Sequence, residues 1–199
     1  MYFARAQLAN MGSLRALLDS HGDMLITRPD IQLRLAFQIA DGMAYLHGRE
    51  PPVIHHDLKS LNILCFSTSG GSKLSVGMLE GLLVKICDFG LATGLASSAA
   101  TMLQSTNRNG GAMGGTFAYC APEYFDEGIY TPNSEVYSYG IIVSELLTAQ
   151  VPWSAPDPRT GRAYTLKALQ LAVSRGVRPE LPKSAESQVL AQLAKDCWQ

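Results

Sequence analysis

The stretch Ile54-His55-His56-Asp57-Leu58-Lys59-Ser60-Leu61-Asn62-Ile63-Leu64 decides the reading of this chain. It gathers an acid, a lysine and a primary amide in one short span. Asp57 offers a carboxylate that can accept a hydroxyl proton. Lys59, two residues on, offers a cation suited to phosphate charge, and Asn62 an amide oxygen of the kind magnesium takes. Each has an ordinary reading too: an aspartate in a loop is a common turn residue, and a lone lysine is a solvated surface group. The run Ile63-Leu64-Cys65 reads as a short strand, with a second at Leu82-Leu83-Val84-Lys85-Ile86. Between them Ser67-Thr68-Ser69-Gly70-Gly71-Ser72 is polar and turn-forming, longer than a tight hairpin needs, and reads as an exposed insertion.

Working outward, helices dominate. Gly12-Ser13-Leu14-Arg15-Ala16-Leu17-Leu18 predicts a short helix opening at Ser13. Asp30 is placed to cap a long helix reaching about Gly48, with Leu33, Phe37, Ala40, Met43, Ala44 and Leu46 at helical spacing and expected in the core. Glu50-Pro51-Pro52 ends it. Asn133 or Ser134 is placed to cap a helix carrying Val136, Tyr137, Tyr139, Ile141, Ile142, Leu146 and Leu147, apolar on most faces and so expected deep inside. Thr165–Ser174 and Ser187–Trp198 predict two more amphipathic helices. The loop from Ser97 to Gly115 is polar and expected to be mobile.

Composition bounds the function. The chain has 199 residues, 47% hydrophobic and 17% charged, an ordinary globular mixture for one core. A net charge of -1 supplies no basic field for nucleic acid. The four cysteines (Cys65, Cys87, Cys120, Cys197) form no CxxC pair, which fits reduced thiols and a cytoplasmic setting. Cys120 has no basic sequence neighbour and is expected to be inert. Arg5 and Arg15 interrupt the first apolar residues, so no secretory signal is visible. The longest apolar run, near Gly140–Val143 and Leu146-Leu147, is interrupted by Ser144 and Glu145 and falls short of the ~20 residues of a membrane span.

Two further blocks follow the opening stretch in order: Asp88-Phe89-Gly90 within Ile86–Ala92, and Ala121-Pro122-Glu123 within Gly115–Glu123. With them the chain resembles the protein kinase family, most closely serine/threonine kinases of the tyrosine-kinase-like group, because Ser60 follows Lys59. The resemblance runs from about Gly12 to Trp198 and covers the helical C-terminal lobe. The expected fold is mainly α with a small β hairpin, residues 12–199 forming that lobe and 1–11 a remnant of the last N-lobe strand and hinge, with Gln7-Leu8-Ala9 near the adenine edge. The resemblance implies ATP-dependent transfer of a phosphoryl group to a Ser/Thr hydroxyl of a protein substrate, with ATP and Mg as cofactors, in signal transduction. Asp57 would be the base, Lys59 would lie beside the transferred group, and Asn62 and Asp88 would hold magnesium. Thr116 would hydrogen-bond toward Asp57 and Lys59, Leu64 would floor the adenine, and His55 and Phe89 would stack as part of a spine between lobes.

The pattern also fails in places. The family uses an upstream lysine, its glutamate partner and a glycine-rich loop. The first lysine here is Lys59, the first glutamate is Glu50, and Gly110–Gly115 has the wrong spacing and position. Glu123 would pair with an arginine beyond Cys197-Trp198-Gln199 and is expected to lack its partner, so the chain reads as a fragment truncated before its last helix. His56 stands where most kinases have arginine and would couple weakly to a phosphorylated loop at Ser97, Ser98, Thr101, Ser105 or Thr106. Glu135 stands where an aspartate usually anchors the loop backbone. These departures favour the alternative of a pseudokinase-like binding or scaffold module, and the 199 residues alone are expected to be inactive.

Overall fold

A computed structural model describes residues 9–67, 76–94, 116–184 and 187–199. The elements run α1 (Leu14–Leu25), α2 (Pro29–His47), β1 (Val53–Ile54), β2 (Ile63–Ser67), α3 (Val76–Glu80), β3 (Leu82–Ile86), β4 (Thr93–Gly94), α4 (Pro122–Glu127), α5 (Pro132–Thr148), α6 (Leu166–Ser174) and α7 (Gln188–Cys197). The architecture is mainly helical, as expected. β2 and β3 pair antiparallel, Ile63 opposite Ile86 and Ser67 opposite Leu82. Most of the polar insertion between them, the loop Ser97–Gly115 and Gln7-Leu8 lie outside the described residues. The pairing of β1 with β4 and the short helices α3 and α4 were not anticipated.

Capping chemistry sets the helix starts. Ser13 caps α1, its hydroxyl accepting from the amide of Ala16, as the sequence predicts. Two other caps are corrected. Asp30 lies inside the first turn of α2, whose N-cap is Arg28; its carboxylate pairs with the Arg28 guanidinium instead. Pro29 accounts for the shift, since proline is suited to the first helical position, where no amide hydrogen is needed. α5 is capped by Thr131 rather than Asn133 or Ser134. Ser134 is the return partner, its hydroxyl accepting from the Thr131 amide at 3.0 Å.

The core is built around α5. Ile141, Ile142, Val143 and Leu146 are fully enclosed, and α5 packs against α7, α2 and α1. α2 bears out the expected face only in part: Met43 is buried and Ala40 packs against the core. Ile31, Gln32, Leu35, Ala36, Ile39 and Met43 are buried, whereas Leu33 and Phe37 are 49% and 69% exposed and Ala44 is exposed. Both faces carry apolar residues at helical spacing, so period alone does not choose between them. Polar anchors do: the Gln32 amide donates to the Leu146 carbonyl at 2.8 Å, and the Tyr139 hydroxyl donates to the Ala36 carbonyl at 3.0 Å. Gln38 serves the edge of β3, accepting from the Val84 amide at 2.9 Å.

The close approach of α7 to α5 requires Gly140. A Cβ there would lie 2.5 Å from Trp198 Nε1 and 2.8 Å from Cys197 Cβ. Helix propensity favours alanine over glycine by ~1 kcal/mol, but overpacking typically costs about 1–3 kcal/mol, and here the clash includes a Cβ fixed to the facing helix. Gly140→Ala is therefore expected to destabilise the fold by roughly 1–2 kcal/mol net, read as a lower denaturant midpoint. An unchanged or higher midpoint would refute the tight crossing.

Candidate active site

The turn between β1 and β2 carries the opening stretch. Its shape depends on His56, which sits in the left-handed region at φ 67°. A buried glutamate from α5 supports that strained backbone. Glu135, 1% exposed, accepts from the His56 amide with Oε1 at 2.8 Å and pairs through Oε2 with His47 Nε2 at 2.7 Å. The anchoring expected of Glu135 is thus present, and its longer side chain reaches a second partner at the end of α2 that sequence reasoning missed.

Asp57 is where the site converges. Its Oδ2 accepts from Lys59 Nζ at 2.7 Å and from Asn62 Nδ2 at 3.0 Å. Its Oδ1 accepts from the Thr116 hydroxyl at 3.1 Å, and that hydroxyl oxygen accepts from Lys59 Nζ at 3.1 Å. Four of the sequence candidates therefore form one connected set, across 57 to 59 residues of intervening chain in the case of Thr116. The Asp57 and Lys59 side chains are 12% and 15% exposed, so the pair is largely shielded while keeping an edge in contact with solvent.

Leu64 and Asp88 are not bonded to this set. Leu64 lies on β2, half-buried, beside the Gly12–Ser13 backbone: Cys65 donates to the Gly12 carbonyl at 2.8 Å, and Ser13 bridges to Leu64. Asp88 follows β3 at φ 65°, one residue beyond Cys87, whose amide donates to the Asn62 carbonyl at 2.9 Å. That bond brings the two backbones together. Among the described residues, no hydrogen bond or ion pair engages the Asp88 carboxylate, which is exposed.

Neighbouring residues complete the picture. His55, 1% exposed, meets Phe89 at 5.0 Å between ring centroids. Phe89 is not a plain core residue, being 46% exposed on its remaining surface. Cys120 is buried and burial pushes its thiol well up, with Asp57 adding to the effect, which fits the inert thiol expected. Glu123, expected to lack a partner, accepts from the Ser134 hydroxyl at 2.6 Å. Arg15, Tyr119 and Glu145 also adjoin the site and were not singled out in the sequence. A glutamate inside an apolar helical run was the signal available, since a buried carboxylate must find donors.

Helical architecture, the paired strands and the Asp57 cluster together define a protein kinase domain. Residues 2–199 match the family described as protein kinase domain, and the chain belongs to it. It is 36% identical over 187 residues to the dual specificity protein kinase splA of Dictyostelium discoideum, covering 94% of this chain and 7% of that one. It is 32% identical to the serine/threonine-protein kinase CTR1 of Arabidopsis thaliana over 94% of this chain and 19% of that one. It is 36% identical to a mitogen-activated protein kinase kinase kinase of Drosophila melanogaster over 86% of this chain and 13% of that one. The chain thus spans less than a fifth of each of these relatives. No helix among the described residues is long and apolar enough to cross a membrane.

His56 gives the site a pH signature. Its ring stacks on Tyr130 at 4.9 Å, and burial lowers its pKa below the ordinary 6.5, against the pull of Glu135 and with help from His55. A histidine whose folded pKa lies below its unfolded value binds fewer protons when folded. It contributes nothing to pH dependence well above 6.5 and weakens folding as the pH drops below that value. Stability is expected to fall as the pH drops below 6.5, less steeply in His56→Asn, since asparagine tolerates left-handed backbone. Denaturant titrations across that window compare the two slopes; equal slopes would remove His56 as the source.

Proposed function

We propose that residues 12–199 are the helical C-terminal lobe of a kinase domain, preceded by the end of an N-lobe strand and hinge. In this reading the chain supplies the acceptor side of phosphoryl transfer from ATP to a Ser or Thr hydroxyl of a protein. The observation that carries it is the convergence of Lys59, Asn62 and Thr116 on the Asp57 carboxylate. Asp57 then acts as the base. As the acceptor oxygen attacks the terminal phosphorus, the bond to the bridging oxygen breaks, ADP leaves, and the hydroxyl proton passes to the carboxylate. Lys59, held between Asp57 and Thr116, balances charge on the transferred group. Thr116 orients both, so that the acceptor meets a preformed carboxylate with no side-chain search.

Magnesium fits the residues present. The Asn62 amide nitrogen is committed to Asp57, donating to its backbone oxygen at 2.8 Å as well as to Oδ2. That commitment leaves the amide oxygen as a ligand. The exposed Asp88 carboxylate is the second oxygen donor, and two protein oxygens suffice for an ion that keeps waters and phosphate oxygens. When bound, the ion neutralises charge on the phosphates. Leu64 supplies an apolar surface for the nucleotide base. The relative named as serine/threonine-protein kinase CTR1 supports a Ser/Thr acceptor for this chain.

A second reading is a kinase-like module that binds partners without transfer. One observation favours it: His56, where the resemblance implies an arginine, is buried with its pKa lowered, and so supplies no permanent cation to a phosphorylated loop. One experiment separates the two. In the full-length protein, Asp57→Asn is expected to lower kcat for a Ser/Thr protein acceptor by roughly 10²–10⁴-fold while nucleotide affinity stays within about twofold. Wild-type protein that binds Mg-ATP without any transfer would establish the binding module. Unchanged turnover in Asp57→Asn would remove Asp57 from the base role.

A further inference from the structure

Among the described residues, a second carboxylate, outside the Asp57 set and fully buried, also gathers three donors. Glu145 lies on α5 with no exposed surface. Its Oε1 accepts from Arg15 Nη1 at 2.8 Å and from the Ser60 hydroxyl at 2.8 Å, and its Oε2 accepts from the Tyr119 hydroxyl at 2.8 Å. Ser60 and Tyr119 also meet each other, oxygen to oxygen at 3.1 Å. All four side chains are buried: Ser60 is fully enclosed, and Arg15 and Tyr119 are each 6% exposed. Arg15 balances the charge and is itself saturated, donating further to Asp19 at 2.9 Å and to the carbonyls of Ala149 at 2.7 Å and Gln150 at 3.2 Å.

The positions of the two hydroxyls give the network its meaning. Ser60 follows Lys59 directly, and Tyr119 follows Thr116 by one turn. Lys59 and Thr116 are the two groups that grip Asp57 from different segments of the chain. One carboxylate therefore holds both segments from beneath. A buried ion pair of this kind adds little net stability compared with an apolar replacement, because desolvation offsets the attraction. Three convergent, charge-assisted hydrogen bonds do give direction and distance. Ten residues earlier on the same helix, Glu135 holds the His56 amide. The turn carrying Asp57 is thus fixed to α5 on both sides, before Asp57 at His56 and after it at Ser60.

We propose that Glu145 is a positioning residue, which sets the placement of Lys59 and Thr116 about Asp57 by holding Ser60 and Tyr119 on one carboxylate balanced by Arg15. Its consequence for turnover rests on the phosphoryl-transfer reading; the mechanical linkage does not. Burial pushes the Glu145 carboxyl above its ordinary value while Arg15, Ser60 and Tyr119 favour the ionised form, consistent with a carboxylate kept charged by its donors. Tyr119 is also tied through its backbone, its carbonyl accepting from the Ser138 hydroxyl at 2.8 Å, so removal of the phenol oxygen leaves that segment folded.

The test uses full-length protein carrying Tyr119→Phe, Ser60→Ala, the double variant, and Glu145→Gln. Hydrogen exchange is followed on the amides of residues 58–62 and 117–120, with α6 as the reference. Each single variant is expected to speed exchange in both segments and not in α6. Faster exchange confined to the altered residue's own segment, or none, overturns the shared hold. With an acceptor protein, Tyr119→Phe is expected to lower kcat about tenfold, the order of one charge-assisted hydrogen bond, with KM for ATP unchanged. The double variant is expected to lose no more than the worse single one, since both act through one carboxylate. Losses that multiply, or a KM effect alone, overturn the positioning role. Should Glu145→Gln fail to fold, the hydroxyl variants decide. Should wild-type protein transfer no phosphate, the functional reading fails by itself and the exchange result still decides the linkage.

Discussion

Two carboxylates on one buried helix hold the site together. α5 is enclosed on nearly every side, and a side chain inside it has no water to fall back on. Glu135 and Glu145 therefore take their donors from the protein: besides His47 on α2 and Arg15 on α1, these are groups of the turn carrying Asp57 and the segment carrying Thr116. A loop alone is a poor platform for chemistry, because its backbone conformations are many and fixing each residue costs about 1–2 kcal/mol. Bonding the loop to a helix that cannot move transfers the rigidity of the core to the surface.

The left-handed residues at His56 and Asp88 belong to the same logic. Non-glycine residues at φ 67° and 65° are held only where surroundings over-determine them. At His56 that support is visible: the amide is caught by Glu135 and the ring lies on Tyr130. At Asp88 it is the bond from Cys87 to Asn62 and the end of the β2–β3 pair. These two residues lie just beyond β1 and β3, and the Asp88 carboxylate is left without a hydrogen bond or ion pair among the described residues. The His56 ring, packed on Tyr130 at 4.9 Å, also couples the turn to the segment between α4 and α5 by aromatic contact.

The core tolerates this density of polar groups because nearly every one is answered. Gln32, Ser138 and Gln38 each satisfy a carbonyl or an amide left open at a helix end, a loop or a strand edge, and Tyr139 adds a bond to the Ala36 carbonyl within α2. These bonds also select which apolar face of α2 points inward, leaving Phe37 and Leu33 outside. Gly140 completes the arrangement by letting α7 approach α5 more closely than any side chain would allow.

The sequence by itself determined the family, the helical class, the paired strands and the residues Asp57, Lys59, Asn62 and Thr116, because these depend on short-range spacing and on residue chemistry that survives without a structure. It also located the starts of α1 and α6, where a hydroxyl residue before an apolar run leaves little choice. Only the tertiary structure decided the inward face of α2, the capping role of Thr131, the partner of Glu123, and the joint hold of Glu145 on Ser60 and Tyr119. Each of these turns on groups that meet across the fold or across a helix start where several residues qualify. The sequence marked Glu145 as a charge in an apolar run, but which donors reach a buried carboxylate is a matter of packing, and packing is set by the whole chain at once.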